Sequence, residues 1–340
     1  MYLEYYGFSA HPFLMTPDAR LFFPSSVHNR AHAHLVYGLA QREGFVIITG
    51  EVGAGKTTLV EKLCGELDPT SYRIARIMTS QVSGEDLLRL VADAFDVPSD
   101  GTKASILRGI MEALRTGEQV GRRHLLIVDE AQGLPPSALE ELRMLSNVTE
   151  DGRALLQTIL LGQPQLRRII ASPDLDQLRQ RVLASYHLGG LSRDETAAYV
   201  AHRLHAVGWS GHPQWGEGAL AEVHRHTGGI PRRINRLCAR VLLGGALEQA
   251  DTLTAEMVRL TAHELEEDLS AGAENARAPV RHDYASPYQP TPYAGGANGA
   301  PSAVVSDLAR RIEQLEIQSA RRERVFNRLM DLFSALDLRR

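Results

Sequence analysis

An α/β core built on a parallel sheet, followed by a small all-helical unit, is the fold class the sequence predicts. Short apolar runs alternate with stretches of helical period up to about residue 190, and beyond Ser192 the period is helical alone. Strands alternating with helices imply βαβ units. A parallel sheet covered on both faces makes its strands read as near-continuous apolar runs.

Residues 1–44 begin with an aromatic, proline-punctuated lead-in (Tyr5, Tyr6, Phe8, Pro12, Phe13, Pro17, Phe22, Phe23), and a helix follows over about 28–40. The apolar runs are 45–49, 74–78, 125–128 and 155–161, with a weaker one at 186–188. Between them, 56–67, 85–95, 103–115 and 136–147 carry the helical period. Lead-in and α/β core together occupy residues 1–190. The helical unit spans 191–270 and opens on a capping-box signature, Ser192 with Glu195, ahead of Tyr199, Val200 and Leu204. Its further helices fall at about 218–226, 232–247 and 254–269. In 271–303 alanine, glycine and proline dominate, so the stretch cannot bury enough apolar surface to order itself and reads as a disordered linker. In 304–340, Val305, Leu308, Ile312, Leu315, Phe326, Leu329, Phe333 and Leu336 fall on three- and four-residue steps, with Ser319 and Arg322 filling the two intervening positions. That pattern predicts an amphipathic, coiled-coil-like helix with a polar interruption.

Composition bounds the function. A net charge of −4 gives the 340-residue chain no global field for nucleic acid, although a local basic patch stays open. Two isolated cysteines, Cys64 and Cys238, form neither a disulfide framework nor a zinc site, and the 13 histidines show no ligand spacing. With no visible signal peptide and no run of 18 apolar residues, the expectation is a cytoplasmic chain without a transmembrane segment.

Two motifs carry chemistry. Gly50-Glu51-Val52-Gly53-Ala54-Gly55-Lys56-Thr57 matches GxxxxGK[ST] directly after an apolar strand and before a helix, with Thr58 following. Its glycines let backbone amides turn toward phosphate oxygens, Lys56 reaches the β- and γ-phosphates, and Thr57 binds Mg²⁺. Leu125-Leu-Ile-Val-Asp-Glu130 then brings two carboxylates to the end of a strand. Asp129 is read as a holder of the Mg²⁺ shell and Glu130 as the group that polarises the attacking water. The predicted cofactors are ATP and Mg²⁺. Asp129-Glu-Ala-Gln132 also matches a helicase tetrad, but such helicases need two α/β cores and there is room for one.

The set Tyr6-Gly7, Pro12-Phe13, Thr16-Pro-Asp18, the loop with Glu51, Asp129–Gln132, Glu141-Leu-Arg-Met-Leu-Ser-Asn147, Leu178-Arg-Gln-Arg-Val182 and Gly229-Ile-Pro-Arg-Arg-Ile-Asn235 resembles the AAA+ ATPases of the general-secretion-pathway protein A type. Within that family it is most similar to the secretion ATPase encoded with exosortase and exopolysaccharide genes in PEP-CTERM systems. The resemblance covers about residues 1–268. It implies a P-loop NTPase (AAA+) parallel-sheet core with a helical lid, and ATP hydrolysis in a homo-oligomer beside an envelope export or polysaccharide-assembly machine. It further implies that Gln163 is the sensor-1 residue, that Arg179 or Arg181 is a finger reaching a neighbour's nucleotide, and that Arg232 is the sensor-2 arginine. A loop glutamine and a pair of solvated arginines are the rival readings of the first two. Secretion members continue into a transmembrane helix and a peptidoglycan-binding domain. Here a linker and an amphipathic helix follow instead, so the expected tie to the inner membrane is peripheral, through a protein partner of that helix. A DNA-associated ATPase of the transposition-regulator or initiator kind is the alternative, and DNA stays open as a partner.

Overall fold

The computed structural model describes residues 2–14, 21–78 and 82–277, with side chains as far as residue 268. The Thr16-Pro-Asp18 motif, most of the expected linker and the helix expected over 304–340 lie outside these residues. Met1–Asp268 form one compact unit, and the second begins at Leu269.

Helix α1 (Tyr2–Tyr6) and helix α2 (Ser26–Gln41) precede strand β1 (Phe45–Gly50). Then come α3 (Lys56–Glu66), β2 (Tyr72–Met78), α4 (Gly84–Ala94), α5 (Lys103–Gln119) and β3 (Arg123–Asp129). Helix α6 (Pro136–Leu145) leads to a hairpin, β4 (Thr149–Glu150) with β5 (Arg153–Ala154), and to β6 (Leu156–Gly162). Short helices α7 (Gln165–Ile170) and α8 (Asp176–Arg179) connect to β7 (Val182–Leu188). The five long strands pair in the order β2-β3-β6-β1-β7, every pair parallel, as the alternation predicts. Period-two alternation sends their side chains to two cores. Phe45, Ile47, Leu126, Val128 and Leu160 meet α4, α5 and α6, whereas Val46, Ile48, Leu125, Ile127 and Ile159 meet α2 and α3. Because the strands are parallel, all their carboxyl ends share one edge, where Gly50, Asp129 and Gly162 stand.

The helical lid holds α9 (Arg193–His205), α10 (Ala219–Thr227), α11 (Pro231–Leu247) and α12 (Ala255–Arg277), with two-residue strands β8 (Gln214–Trp215) and β9 (Thr252–Leu253) paired between them. The capping box is present: Ser192 Oγ accepts from Glu195 N, and the Glu195 carboxylate accepts from Ser192 N.

Three sequence expectations are corrected. The aromatic lead-in, grouped with the α/β core, packs into the lid: Tyr6, Phe8 and Phe13 are buried with Tyr199, Val200, Leu237 and Leu242. Each large apolar side chain removed from water this way contributes about 1.5–3 kcal/mol, so the lead-in is bound to the lid by its own rings. The weak run at 186–188 is a full strand, β7, whose edge position leaves some side chains exposed and breaks its apolar pattern. Residues 271–277, expected to open the linker, are helical instead: α12 runs to Arg277 through Ala271, Ala273 and Ala276. Alanine is the best helix former, and its abundance there favours helix rather than linker.

Candidate nucleotide-binding site

Strand β1 is buried throughout and delivers the chain into the loop Gly50–Lys56 at the sheet's carboxyl edge. Gly53 and Gly55 take φ of 82° and 95°, a region that side chains rarely adopt. Space is short as well. A Cβ on Gly53 would stand 2.1 Å from Arg232 Cβ, because the lid helix α11 begins directly over the loop. The Arg232 N–H donates to Gly53 O at 3.2 Å. Thus the first turn of α11 brings Arg232 to the loop.

Lys56 opens α3 and is buried, its Nζ donating to Gly50 O at 2.8 Å and to Glu51 O at 3.1 Å. Burial lowers its pKa, and the carboxylates of Glu130, Asp129 and Glu51 act in the opposite direction. Thr57 Oγ1 donates to Asp129 Oδ2 at 2.9 Å, and Asp129 Oδ1 accepts from Glu130 N at 2.9 Å. Asp129 is therefore locked to the loop on one side and to the turn after β3 on the other. A hydroxyl and a carboxylate oxygen in contact beside the phosphate loop are the hard donors that suit Mg²⁺, which keeps much of its shell from water and phosphate. Thr57 and Asp129 fit the predicted cation on that chemistry.

Glu130 turns the chain through a left-handed residue, φ 54°. Its Oε2 accepts from Gln132 Nε2 at 2.5 Å and from Gln163 Nε2 at 3.2 Å. Gln132 Oε1 accepts in turn from Gln163 N at 2.9 Å, so the ends of β3 and β6 are stitched together around one carboxylate. Partial burial pushes the Glu130 pKa up, but the two amide hydrogen bonds and the Lys56 charge outweigh it and hold the pKa below the usual carboxylate value. Glu130 is ionised at neutral pH and can accept a proton. Gln163 is thus brought to the acid pair. Gln132 is a residue that sequence reasoning quoted without giving it a role; its place two residues after the strand-end glutamate was the available signal.

A cavity of about 510 Å³ runs from the loop to the lid. Gly53, Lys56, Thr57 and Glu130 line its polar end; Leu21, Phe22, Phe23, His28, Leu191 and Tyr199 line the other. Asn235 forms part of the lid wall, accepting from Tyr199 OH at 2.8 Å and donating to Leu14 O at 3.2 Å. Buried Arg203 holds the lead-in through Pro12 O at 2.7 Å and Leu14 O at 3.3 Å. Arg203 lay in no motif and Asn235 only closed the Gly229–Asn235 run, so their part in the cavity was not legible in the sequence.

Arg179 and Arg181 are not brought to this loop. Arg181 O accepts from Phe45 N, at the amino end of β1, while the phosphate loop leaves its carboxyl end. A six-residue strand separates the two by roughly 17–20 Å. Exposed Arg179 pairs with Asp176 at 2.6 Å, and Arg181 Nη1 donates to Ser146 O at 3.4 Å. They stand at the amino edge of the sheet because the chain has crossed back to it through α7 and α8, so any nucleotide they reach is not the one held by their own loop.

Sheet order, glycine loop, acid pair and helical lid together define a P-loop nucleoside-triphosphatase fold of the AAA type, and residues 39–170 match the AAA domain. Over 269 residues the chain is 39% identical to the General secretion pathway protein A of Aeromonas hydrophila, a match covering 78% of this chain and 48% of that protein. It therefore spans about half the length of that relative. A shorter match, 27% identical over 135 residues, relates 34% of the chain to 74% of the nucleoside-triphosphatase THEP1 of Thermococcus kodakarensis. Among solved structures, Cdc6p from Pyrobaculum aerophilum superposes with a TM-score of 0.57 at 18% identity, covering 73% of this chain and 71% of that one. The ORC1 protein of Aeropyrum pernix gives 0.57 at 12% identity, over 79% and 72%. These structural likenesses concern the fold.

Proposed function

We propose that this chain binds ATP with Mg²⁺ and hydrolyses it to ADP and phosphate, and that it does so to drive or regulate an envelope export or assembly system. The observation that carries the chemistry is the junction of loop and acids: Thr57 on Asp129, with the ionised Glu130 one residue further and fixed by two amides. The loop residues Gly50, Glu51, Val52, Gly53, Ala54 and Gly55 enclose the phosphates, with Thr58 in the following turn. Lys56 exchanges its loop carbonyls for β- and γ-phosphate oxygens, and Arg232 bears on the phosphates from the lid. Thr57 and Asp129 hold Mg²⁺, which supplies charge neutralisation on the phosphate oxygens. Glu130 orients the attacking water and takes its proton; Gln163, bonded to the same carboxylate, is placed to register the γ-phosphate.

Exposed Arg179 and Arg181, at the far edge of the sheet, serve a neighbouring copy in a homo-oligomer. The 39% identity to a secretion protein over most of the chain supports the export setting. We assign the finer setting to exopolysaccharide or exosortase-linked export, with residues 304–340 docking an envelope partner at the inner membrane. Among the described residues no helix is long and apolar enough to cross a membrane.

Phosphate release from ATP by the purified chain, with and without Mg²⁺, tests the reading. Activity lost on chelation and lost with nucleotide binding in Lys56→Ala is expected; Mg²⁺-independent hydrolysis, or full activity in Lys56→Ala, would overturn it.

A further inference from the structure

The first turn of α2 lies against the phosphate loop, and His28 in that turn is only 6% exposed. Its Nε2 stands 3.1 Å from Ala54 O, and its Nδ1 stands 2.6 Å from Oγ of Ser25, the N-cap of the helix. The ring also presses on the next loop residue: a Cβ on Gly55 would come within 2.7 Å of Nε2. Phe22 closes the pocket edge-on, its centroid 5.8 Å from the imidazole. A carbonyl only accepts, so this network puts the ring proton on Nε2, and in the neutral ring Nδ1 accepts from the Ser25 hydroxyl. Burial lowers the His28 pKa, against the raising effects of the Ala54 carbonyl and Glu195, which favours that neutral form.

The consequence for the loop runs through one peptide plane. The Ala54 carbonyl and the Gly55 N–H belong to a single planar trans unit and point in opposite directions. With the carbonyl drawn to His28, the Gly55 amide is turned away from the ring, toward the side of the loop that receives phosphate oxygens. The same helical turn is tied to the lid. Ser26 N, on the first residue of α2, donates to Glu195 Oε1 at 2.6 Å, while Glu195 Oε2 accepts from Ser192 N, the N-cap of lid helix α9, at 3.0 Å. One carboxylate thus caps two helix N-termini, each of which favours negative charge.

We propose that His28 is a positioning residue for nucleotide binding, holding the Ala54–Gly55 peptide in its phosphate-receiving orientation, and that Glu195 couples this turn of α2 to the lid. The proposal rests on the nucleotide reading given above and names a residue outside the loop and acid motifs. His28 touches no reacting atom, so its loss acts on affinity rather than on the chemical step.

The test is titration of the full chain with a fluorescent ATP analogue in Mg²⁺, together with kcat and KM, for wild type, His28→Leu, His28→Gln, Glu195→Ala and the His28→Leu/Glu195→Ala double variant. His28→Leu is expected to raise Kd and KM about tenfold and to lower kcat less than about threefold. His28→Gln, whose amide can donate to the same carbonyl, recovers most of the affinity. Wild-type affinity in His28→Leu, or equal losses in the leucine and glutamine variants, overturns the positioning role. For the lid tie, the double variant is expected to lose less than the product of the two single effects, by about threefold; independent effects overturn the coupling. Should His28→Leu fail to fold, Ser25→Ala carries the test, since it frees the ring while leaving its pocket filled. A Kd raised about threefold is then expected, and unchanged affinity overturns the proposal. A wild-type chain that binds no nucleotide refutes the underlying reading and this proposal with it, whereas the variant comparisons refute the proposal alone.

Discussion

Replacing Arg203 by methionine separates the lead-in from the lid without emptying the space between them. The guanidinium is buried, donates to Pro12 O at 2.7 Å and to Leu14 O at 3.3 Å, and lies 5.9 Å from the centre of the Tyr199 ring. Hydrogen bonds from a charged donor are worth about 1.5–3 kcal/mol each, and the second here is long enough to fall at or below the bottom of that range. Methionine keeps most of the stem's packing, which offsets part of the loss, so a net cost of about 2–3 kcal/mol is expected. For a compact unit of this size about 1 kcal/mol corresponds to 2–4 °C in Tm, giving a fall of roughly 5–10 °C. The effect extends to the ligand. Leu14, released from Arg203, is also held by Asn235, and both line the cavity. The affinity for ATP is therefore expected to fall about threefold or more. Differential scanning calorimetry of the apo chain and nucleotide titration check the two parts. A Tm within about 1 °C of wild type, together with unchanged affinity, would refute the view that this arginine fastens the lead-in over the site.

Other outcomes follow from the same structure. His124 is buried at the start of β3 against Phe95, and burial, then Arg73 and Arg122, lower its pKa to about 4. The unfolded chain takes up a proton below about pH 6.5 that the folded chain refuses, so stability is level above that pH and falls as the pH drops toward 4. The loss reaches about 2 kcal/mol at pH 5, and His124→Phe should remove this part of the difference between melts at pH 7 and pH 5. If Arg179 and Arg181 act on a neighbour, ATPase activity per subunit rises with protein concentration, and an arginine variant regains activity when mixed with Lys56→Ala. A trans arginine contributes roughly 10³-fold or more, so flat specific activity without complementation would remove that role. Deleting residues 278–340 is expected to leave ATPase rate and oligomer size unchanged while abolishing co-purification with membranes. Loss of the oligomer would instead make residues 304–340, where the sequence predicts a helix, a self-assembly element. Salt-dependent binding of duplex DNA by the full chain would favour the DNA-associated alternative.

The parts of the site legible in the sequence were those written contiguously. Gly50–Thr57 and Leu125–Glu130 each place their reactive groups within one strand-to-loop junction, so residue order alone predicts the geometry, and the Thr57–Asp129 contact follows from two such junctions sharing a sheet edge. Arg232 was named through the resemblance carried by the Gly229–Asn235 run, and the proline at the first helical position of α11 places that arginine on the first turn. His28, Arg203 and Asn235 were not legible, since each acts on a backbone carbonyl far away in the chain: Ala54, Pro12 and Leu14. A hydrogen bond to a carbonyl leaves no mark on the partner's identity, and only the fold brings the two together. The surroundings of Arg179 and Arg181 were not legible for a related reason. Motif order says that they precede β7, but not that α7 and α8 have already carried the chain to the opposite edge of the sheet.

The most direct measurement for the central claim is ATP turnover and ATP binding in Glu130→Gln beside wild type, in Mg²⁺. Glutamine is nearly isosteric and leaves Asp129, Thr57 and Lys56 in place, but it cannot take a proton from water. The account predicts Mg²⁺-dependent hydrolysis by wild type, a rate lower by about 10²-fold or more in the variant, and ATP affinity kept within a few-fold. Hydrolysis by Glu130→Gln at the wild-type rate would contradict the assignment of Glu130, and a wild-type chain that neither binds nor hydrolyses ATP would contradict the account as a whole.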